Sequence, residues 1–258
     1  MKPRVLITGT TSGIGRELMQ HYHREGWQVV AFNRRQDQEL ESHFPGVQFC
    51  HADVRNREAI RDYFRQASAR GTLPELYYLN AGINQADCLD TFSLDAFQEV
   101  WDINLIGVLN FIDAALPCLR GKTATFVASS STSNIFPNPN NVAYYISKLA
   151  EEKIFRMLDQ KYRSLGWRFK VLILSPIATD IFVGGALASK LQNLVRAWMT
   201  VPVEKAIPVI VRFAHSRRPV LYYKRSAALL FSLAALVKRF VPAFYQGSVC
   251  QKEEAKTP

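Results

Sequence analysis

The sequence predicts an α/β protein built as one doubly wound parallel sheet with helices on both faces. Three observations lead there. Six short β-branched or apolar runs alternate with longer stretches of helical periodicity. The last of these runs, "FKVLILS", is apolar almost throughout, as a strand buried on both sides must be. No Gly/Ser/Pro linker, repeat or low-complexity tract breaks the series before the tail. Such alternation implies right-handed crossovers and a sheet covered on both sides. At 258 residues, 48% apolar and 21% charged, the chain is long enough to bury a large core and has a globular composition. We expect residues 1–216 to form a single domain and residues 217–258 a C-terminal extension.

The first strand, "RVLIT", starts within the opening residues, and its apolar run is far shorter than a signal-peptide core, which predicts a cytoplasmic chain. It runs into "TGTTSGIG", Thr8 to Gly15, and then a helical stretch over 14–25. Glycines at 9, 13 and 15 allow a tight turn, close backbone approach to a pyrophosphate, and close packing of helix on strand. The helix N-terminus then offers free N–H groups and the positive end of its dipole. This is a Rossmann-like dinucleotide site, and Gly9, Thr11, Ser12, Gly13, Ile14 and Gly15 are its expected contacts.

The second strand, "WQVVAF", ends on Asn33, Arg34 and Arg35 where an NAD site would carry an acid for the ribose hydroxyl. A guanidinium matches a 2′-phosphate in charge and geometry, so NADP(H) is expected. After the third strand, "VQFCHA", Asp53 with Val54 is the candidate for the adenine edge. A helical stretch over 57–69 leads to the fourth strand, "ELYYLN", after which the backbone of Asn80, Ala81 and Gly82 would line the cofactor crevice.

Helical periodicity over 94–116 carries Asn104, the fifth strand "TATFVAS" opens a run of serines at 129–131, and a long helix is expected over 143–164. Near its start stands "AYYISK". With 10 Tyr and 12 Lys in the chain, a Tyr four residues before a Lys is expected about 0.5 times by chance. The spacing does put Tyr144 and Lys148 on one helix face. A phenol titrates near 10 in isolation, and an adjacent ammonium favours the phenolate and lowers that value.

Four features, in order and spacing, resemble the short-chain dehydrogenase/reductase family in its single-domain form: "TGTTSGIG" at 8–15, "NAG" at 80–82, Asn104 in "DINLIG", and serines followed thirteen residues later by the Tyr-xxx-Lys of 144–148. The resemblance covers roughly residues 4 to 215. It implies Tyr144 as general acid/base, Lys148 as its cationic partner and holder of the nicotinamide ribose, and Asn104 as anchor of a relay water. It selects Ser131, with Ser130 as alternative, to bond the substrate oxygen. After the sixth strand the family usually has Pro-Gly. Here Pro176 is followed by Ile177, with Thr179 still at the position expected to reach the nicotinamide carboxamide. The resemblance also implies a homodimer or homotetramer.

The remaining features bound the partners. The formal charge of +10 is spread along the chain without a nucleic-acid-binding signature, so no nucleic acid is expected. Cys50, Cys88, Cys118 and Cys250 lack the close pairs of a metal or redox site, so no metal is expected. Within 217–245 an uncharged stretch, Ser226 to Val237, is bracketed by basic pairs and is too short to span a bilayer. Three readings stay open for it: a helix packed on the domain or a dimer mate, peripheral contact with the inner face of a membrane, or a lid over an apolar pocket. The apolar segment 181–202 suggests a lipophilic carbonyl or alcohol as small-molecule substrate. The alternative is an idle NADP(H)-binding sensor, or a membrane-peripheral scaffold of the same fold.

Overall fold

A computed structural model describes residues 2–85, 92–131, 141–174 and 202–223. Among them lie seven strands in one fully parallel sheet: β1 (Arg4–Thr8), β2 (Gln28–Asn33), β3 (Gln48–His51), β4 (Leu76–Leu79), β5 (Ala124–Ser131), β6 (Trp167–Leu174) and β7 (Val220–Tyr222). Their order is β3-β2-β1-β4-β5-β6-β7. The direction of winding reverses between β1 and β4, so the carboxyl ends of these two strands open a crevice there.

The apolar runs become strands because both of their faces are covered. Along β1, Val5 and Ile7 enter one core while Leu6 enters the other, all three fully buried. Along β6, Phe169, Val171 and Ile173 face one side, and Leu172 and Leu174 the other. Across neighbouring strands Tyr77, Phe126 and Phe169 are in register and stack, with ring centroids 4.5 and 4.8 Å apart. Such aromatic cross-strand neighbours stabilise the sheet centre.

On one side of the sheet lie α3 (Arg57–Ala69), α5 (Gly107–Ala115) and α6 (Val142–Tyr162); on the other lie α1 (Gly13–Arg24) and α7 (Val203–Ala214). α1, α3 and α6 match the expected stretches to within two residues. The stretch expected as one helix over 94–116 is broken. α4 (Leu94–Trp101) passes through a π-helical segment, Asp102–Ile106, before α5 begins. By length and composition Leu94–Leu119 is apolar enough to cross a bilayer, but Val100, Leu105, Phe111 and Leu119 are buried in the protein core.

Three elements lie outside the expected pattern. α2 (Gln38–His43) is six residues long, too short for a periodicity signal, and is started by Asp37, whose carboxylate accepts from Leu40 N at 3.0 Å. α7 contains Pro208, a residue that reads as a breaker. β7 falls after residue 216, where the extension was expected to begin, yet it pairs with β6 from Val171↔Val220 onward. The sheet therefore continues at least to Tyr222.

Candidate active site

The glycine turn follows from backbone contact. Gly9 takes φ of +72°, and a Cβ there would stand 3.0 Å from Ala81 Cα. A Cβ on Gly15 would stand 2.0 Å from the carbonyl oxygen of Gly9, so only glycine lets the first turn of α1 close on the end of β1. Thr8 Oγ1 accepts from the N–H groups of Asn80 and Ala81, both at 2.9 Å, and so fastens the "NAG" segment to the same turn. Ser12 caps α1 without a side-chain bond, and no acid stands in the first turn. The positive end of the helix is thus left to a ligand.

A cleft of about 800 Å³ opens here. Its walls include Gly9, Thr11, Ser12, Gly13 and Ile14 from the turn, Arg34 and Arg35 after β2, Asp53 and Val54 after β3, and Asn80, Ala81 and Gly82 after β4. Gly15 lies just beneath, buried against Gly9. The size, the bare helix N-terminus and the close glycine backbone fit a dinucleotide.

Two expected contacts, Asn33 and Asp53, are engaged within the protein. Asn33 is 4% exposed; its Oδ1 accepts from Thr10 N at 2.7 Å, and its Nδ2 donates to Thr10 Oγ1 at 2.9 Å. Its side chain therefore braces the turn, leaving the exposed Arg34 and Arg35 at the end of β2. Asp53 accepts from Arg55 Nε and a terminal guanidinium nitrogen at 3.0 and 2.8 Å, and that guanidinium holds its carboxyl below the usual range. Asp37, also in the cleft wall, is occupied in capping α2.

At the inner end of the cleft, a Cβ on Gly82 would lie 3.1 Å from Asn104 Oδ1 and 3.8 Å from Lys148 Nζ. Asn104 is fully buried in the π-helical segment. Its Oδ1 accepts from Ile83 N at 2.8 Å, and its Nδ2 donates to Ile83 O at 2.9 Å and Ser147 Oγ at 3.2 Å. Single π turns inside α-helices recur at functional sites because they re-aim a few side chains without ending the helix.

The three serines of β5 have separate partners. Ser129 Oγ donates to Asn80 Oδ1 at 3.1 Å, and Ser130 Oγ to the Lys148 carbonyl at 3.1 Å. Ser131 hydrogen-bonds the Tyr144 side chain. Tyr144 and Lys148 are both buried on the inner face of α6, at 7% and 4% exposure, whereas Tyr145 is half-buried. Burial raises the Tyr144 phenol above its ordinary value. Lys148 and the Ser131 bond pull it down, but by less than burial pushes it up. The lowering expected from Lys148 is present, and desolvation outweighs it because the phenol is enclosed.

A residue that the motif reading missed stands beside this pair. Glu151 is fully buried, and its Oε2 accepts from Lys148 Nζ at 3.0 Å. The signal was in the helix period: positions 144, 148, 151, 155 and 159 form one stripe, and all five are buried. Pro176, Ile177 and Thr179, the segment 181–201 and residues 224–245 lie outside the described residues. Among the described residues no cluster of His, Cys, Asp and Glu suits a metal.

A family model for short chain dehydrogenases matches residues 3–185. The chain belongs to the short-chain dehydrogenase family. It is 27% identical to 3beta-hydroxysteroid dehydrogenase 1 of Eggerthella lenta over 193 residues, 69% of this chain and 71% of that one. A short-chain dehydrogenase from Streptomyces avermitilis superposes with a TM-score of 0.76 at 19% identity, over 95% of both chains. 4-Hydroxyisoleucine dehydrogenase complexed with NADH superposes at 0.70 and 19% identity, over 84% of this chain and 91% of that one. The protein is thus a short-chain dehydrogenase in family and fold, an oxidoreductase of a family that uses a nicotinamide cofactor.

Proposed function

We propose that the chain transfers a hydride between NADP(H) and a lipophilic carbonyl or alcohol, with Tyr144 as general acid/base. The observation that carries this is the meeting of Ser131 and Lys148 on a buried Tyr144 at the inner end of the cleft. The cofactor, when bound, supplies or accepts the hydride.

The chain's own groups do the rest. The backbone N–H groups at the start of α1, from Gly13 to Gly15, hold the pyrophosphate. Arg34 and Arg35 would meet a 2′-phosphate, which is why NADP(H) is favoured over NAD(H): they stand exposed directly after β2, where an NAD site carries an acid. Asp53 and Val54 border the adenine, and Asn80, Ala81 and Gly82 form the crevice wall. Lys148 holds the ribose and favours the phenolate of Tyr144. Tyr144 gives its proton to the carbonyl oxygen in reduction and takes one from the alcohol in oxidation. Ser131 donates to that oxygen as negative charge builds on it. Asn104 spends three hydrogen bonds on Ile83 and Ser147, leaving an Oδ1 lone pair for a relay water. By the family resemblance, the segment with Pro176, Ile177 and Thr179 would meet the nicotinamide. The apolar segment 181–202 and the likeness to a hydroxysteroid dehydrogenase support a lipophilic substrate.

The test is oxidation of NADPH and NADH against a panel of aliphatic, aromatic and steroid ketones, with wild type and Tyr144→Phe. We expect kcat/KM to favour NADPH by tenfold or more, and Tyr144→Phe to lose roughly 10³-fold. Preference for NADH would overturn the cofactor assignment. Cofactor binding without turnover across the panel would favour an idle sensor.

A further inference from the structure

The unused feature of this site is a second buried charge on the catalytic face of α6. Tyr144, Lys148 and Glu151 occupy positions i, i+4 and i+7 of one helix, so their side chains follow each other down the same stripe. Glu151 is fully buried, accepts from Lys148 Nζ at 3.0 Å through Oε2, and leaves Oε1 enclosed with no hydrogen-bond partner among the described residues. A carboxylate this dry is costly to hold charged, and a carboxyl that only filled space would be replaced at no loss by an apolar side chain.

We propose that Glu151 is a positioning residue for proton transfer, anchoring the Lys148 ammonium from behind and opposing the ionisation of Tyr144 through its own charge. The inference rests on the assignment of Tyr144 as general acid/base. The two effects come from one geometry. The ammonium, drawn toward Oε2, is held on the face that leads to Tyr144, while the charge it brings to the phenol is partly offset by the carboxylate one turn further on. Tyr144 feels both: Lys148 favours its phenolate and Glu151 opposes it. Burial pushes the Glu151 carboxyl up to about 7 against the pull of Lys148, so its own proton is exchangeable near neutral pH.

The charged groups that the described elements bring near this triad are paired elsewhere or exposed. β5 brings only the Ser130 and Ser131 hydroxyls, and the π-helical segment brings Asn104 and Asp102, the latter accepting from Gln98. On α4, Asp95 and Glu99 are exposed. On β6, Lys170 is bonded to the Phe213 and Ser216 carbonyls, and Arg168 is paired with Asp159. On α6 itself, Glu152 is paired with Arg156, and Lys153 is exposed. Among the described residues, Lys148 is the charged group that acts on Glu151.

The test reads Tyr144 directly and needs no substrate. In the full-length protein, the tyrosinate absorbance near 295 nm is titrated in wild type and Tyr144→Phe, and the difference isolates the Tyr144 phenol. The same pair is then measured in a Glu151→Gln background and in a Glu151→Leu background, with circular dichroism to establish folding. We expect both substitutions to move the Tyr144 midpoint to lower pH by about one unit, a tenfold rise in phenolate at fixed pH. Glu151→Leu keeps the test open if the amide variant folds poorly, since an apolar side chain suits the enclosed site. A purely structural Glu151 would instead give a lower melting temperature with the midpoint in place, and that result overturns the proposal. Turnover by Tyr144→Phe would refute the assignment of Tyr144. An unmoved midpoint with an inactive Tyr144→Phe would refute the role of Glu151 alone.

Discussion

At the scale of single residues, the site separates neighbours that look equivalent in sequence. Tyr144 and Tyr145 differ by about 100° around α6, which puts the first beside Ser131 and Lys148 and leaves the second half-buried. Tyr145→Phe should keep more than half of wild-type kcat/KM, while Tyr144→Phe loses roughly 10³-fold; a steady-state comparison of the two variants checks this. The serines divide the same way. Ser131→Ala should lower kcat roughly 10²-fold. Ser130→Ala removes a buried bond to the Lys148 carbonyl and should cost about 1 kcal/mol of stability with little change in kcat. Equal loss of kcat in both variants would reverse the assignment.

At the scale of elements, the cofactor cleft depends on how closely α1 sits on β1. The Gly9 carbonyl is backbone and cannot step aside, so a methyl 2.0 Å from it forces the whole first turn of α1 outward. Gly15→Ala should therefore destabilise the fold by about 3 kcal/mol, at the upper end for an overpacked site. It should also weaken NADPH binding, because the helix N-terminus moves with the turn. Thermal melting and a fluorescence titration with NADPH would register both effects. An unchanged cofactor affinity would mean that the turn tolerates the shift. The π-helical segment plays a comparable part on the other side, since it brings Asn104 against Ile83 and Ser147 within a continuous helical run.

At the scale of the whole molecule, Lys170 joins the central sheet to its far edge. From β6, with 1% exposure, its ammonium donates to the Phe213 carbonyl at 2.9 Å and to that of Ser216, capping the end of α7 where the chain turns toward β7. Burial lowers its pKa from 10.5 to about 8. The unfolded chain then holds a proton that the folded one has lost between those values, so this group makes stability rise as pH increases through that window. Chemical denaturation of wild type and Lys170→Met across pH 7 to 10 should show the wild-type curve gaining on the variant above pH 8. Parallel curves would mean that the ammonium stays charged in the fold.

The sequence by itself determined the layout. Apolar runs of strand length that alternate with helical stretches point to a parallel sheet covered on both faces, and the glycines of 9–15 and the Tyr144–Lys148 spacing each carry a local geometric demand. The tertiary structure decided what depends on neighbours far along the chain. It spent Asn33 on Thr10 and Asp53 on Arg55, divided Ser129, Ser130 and Ser131 among three partners, and drew β7 into the sheet. It also buried Glu151 behind Lys148 and, by enclosing Tyr144, let desolvation outweigh the nearby ammonium. Hydrogen-bond partners and desolvation are set by what packs across the fold, and periodicity names the face a residue occupies without naming what it meets there.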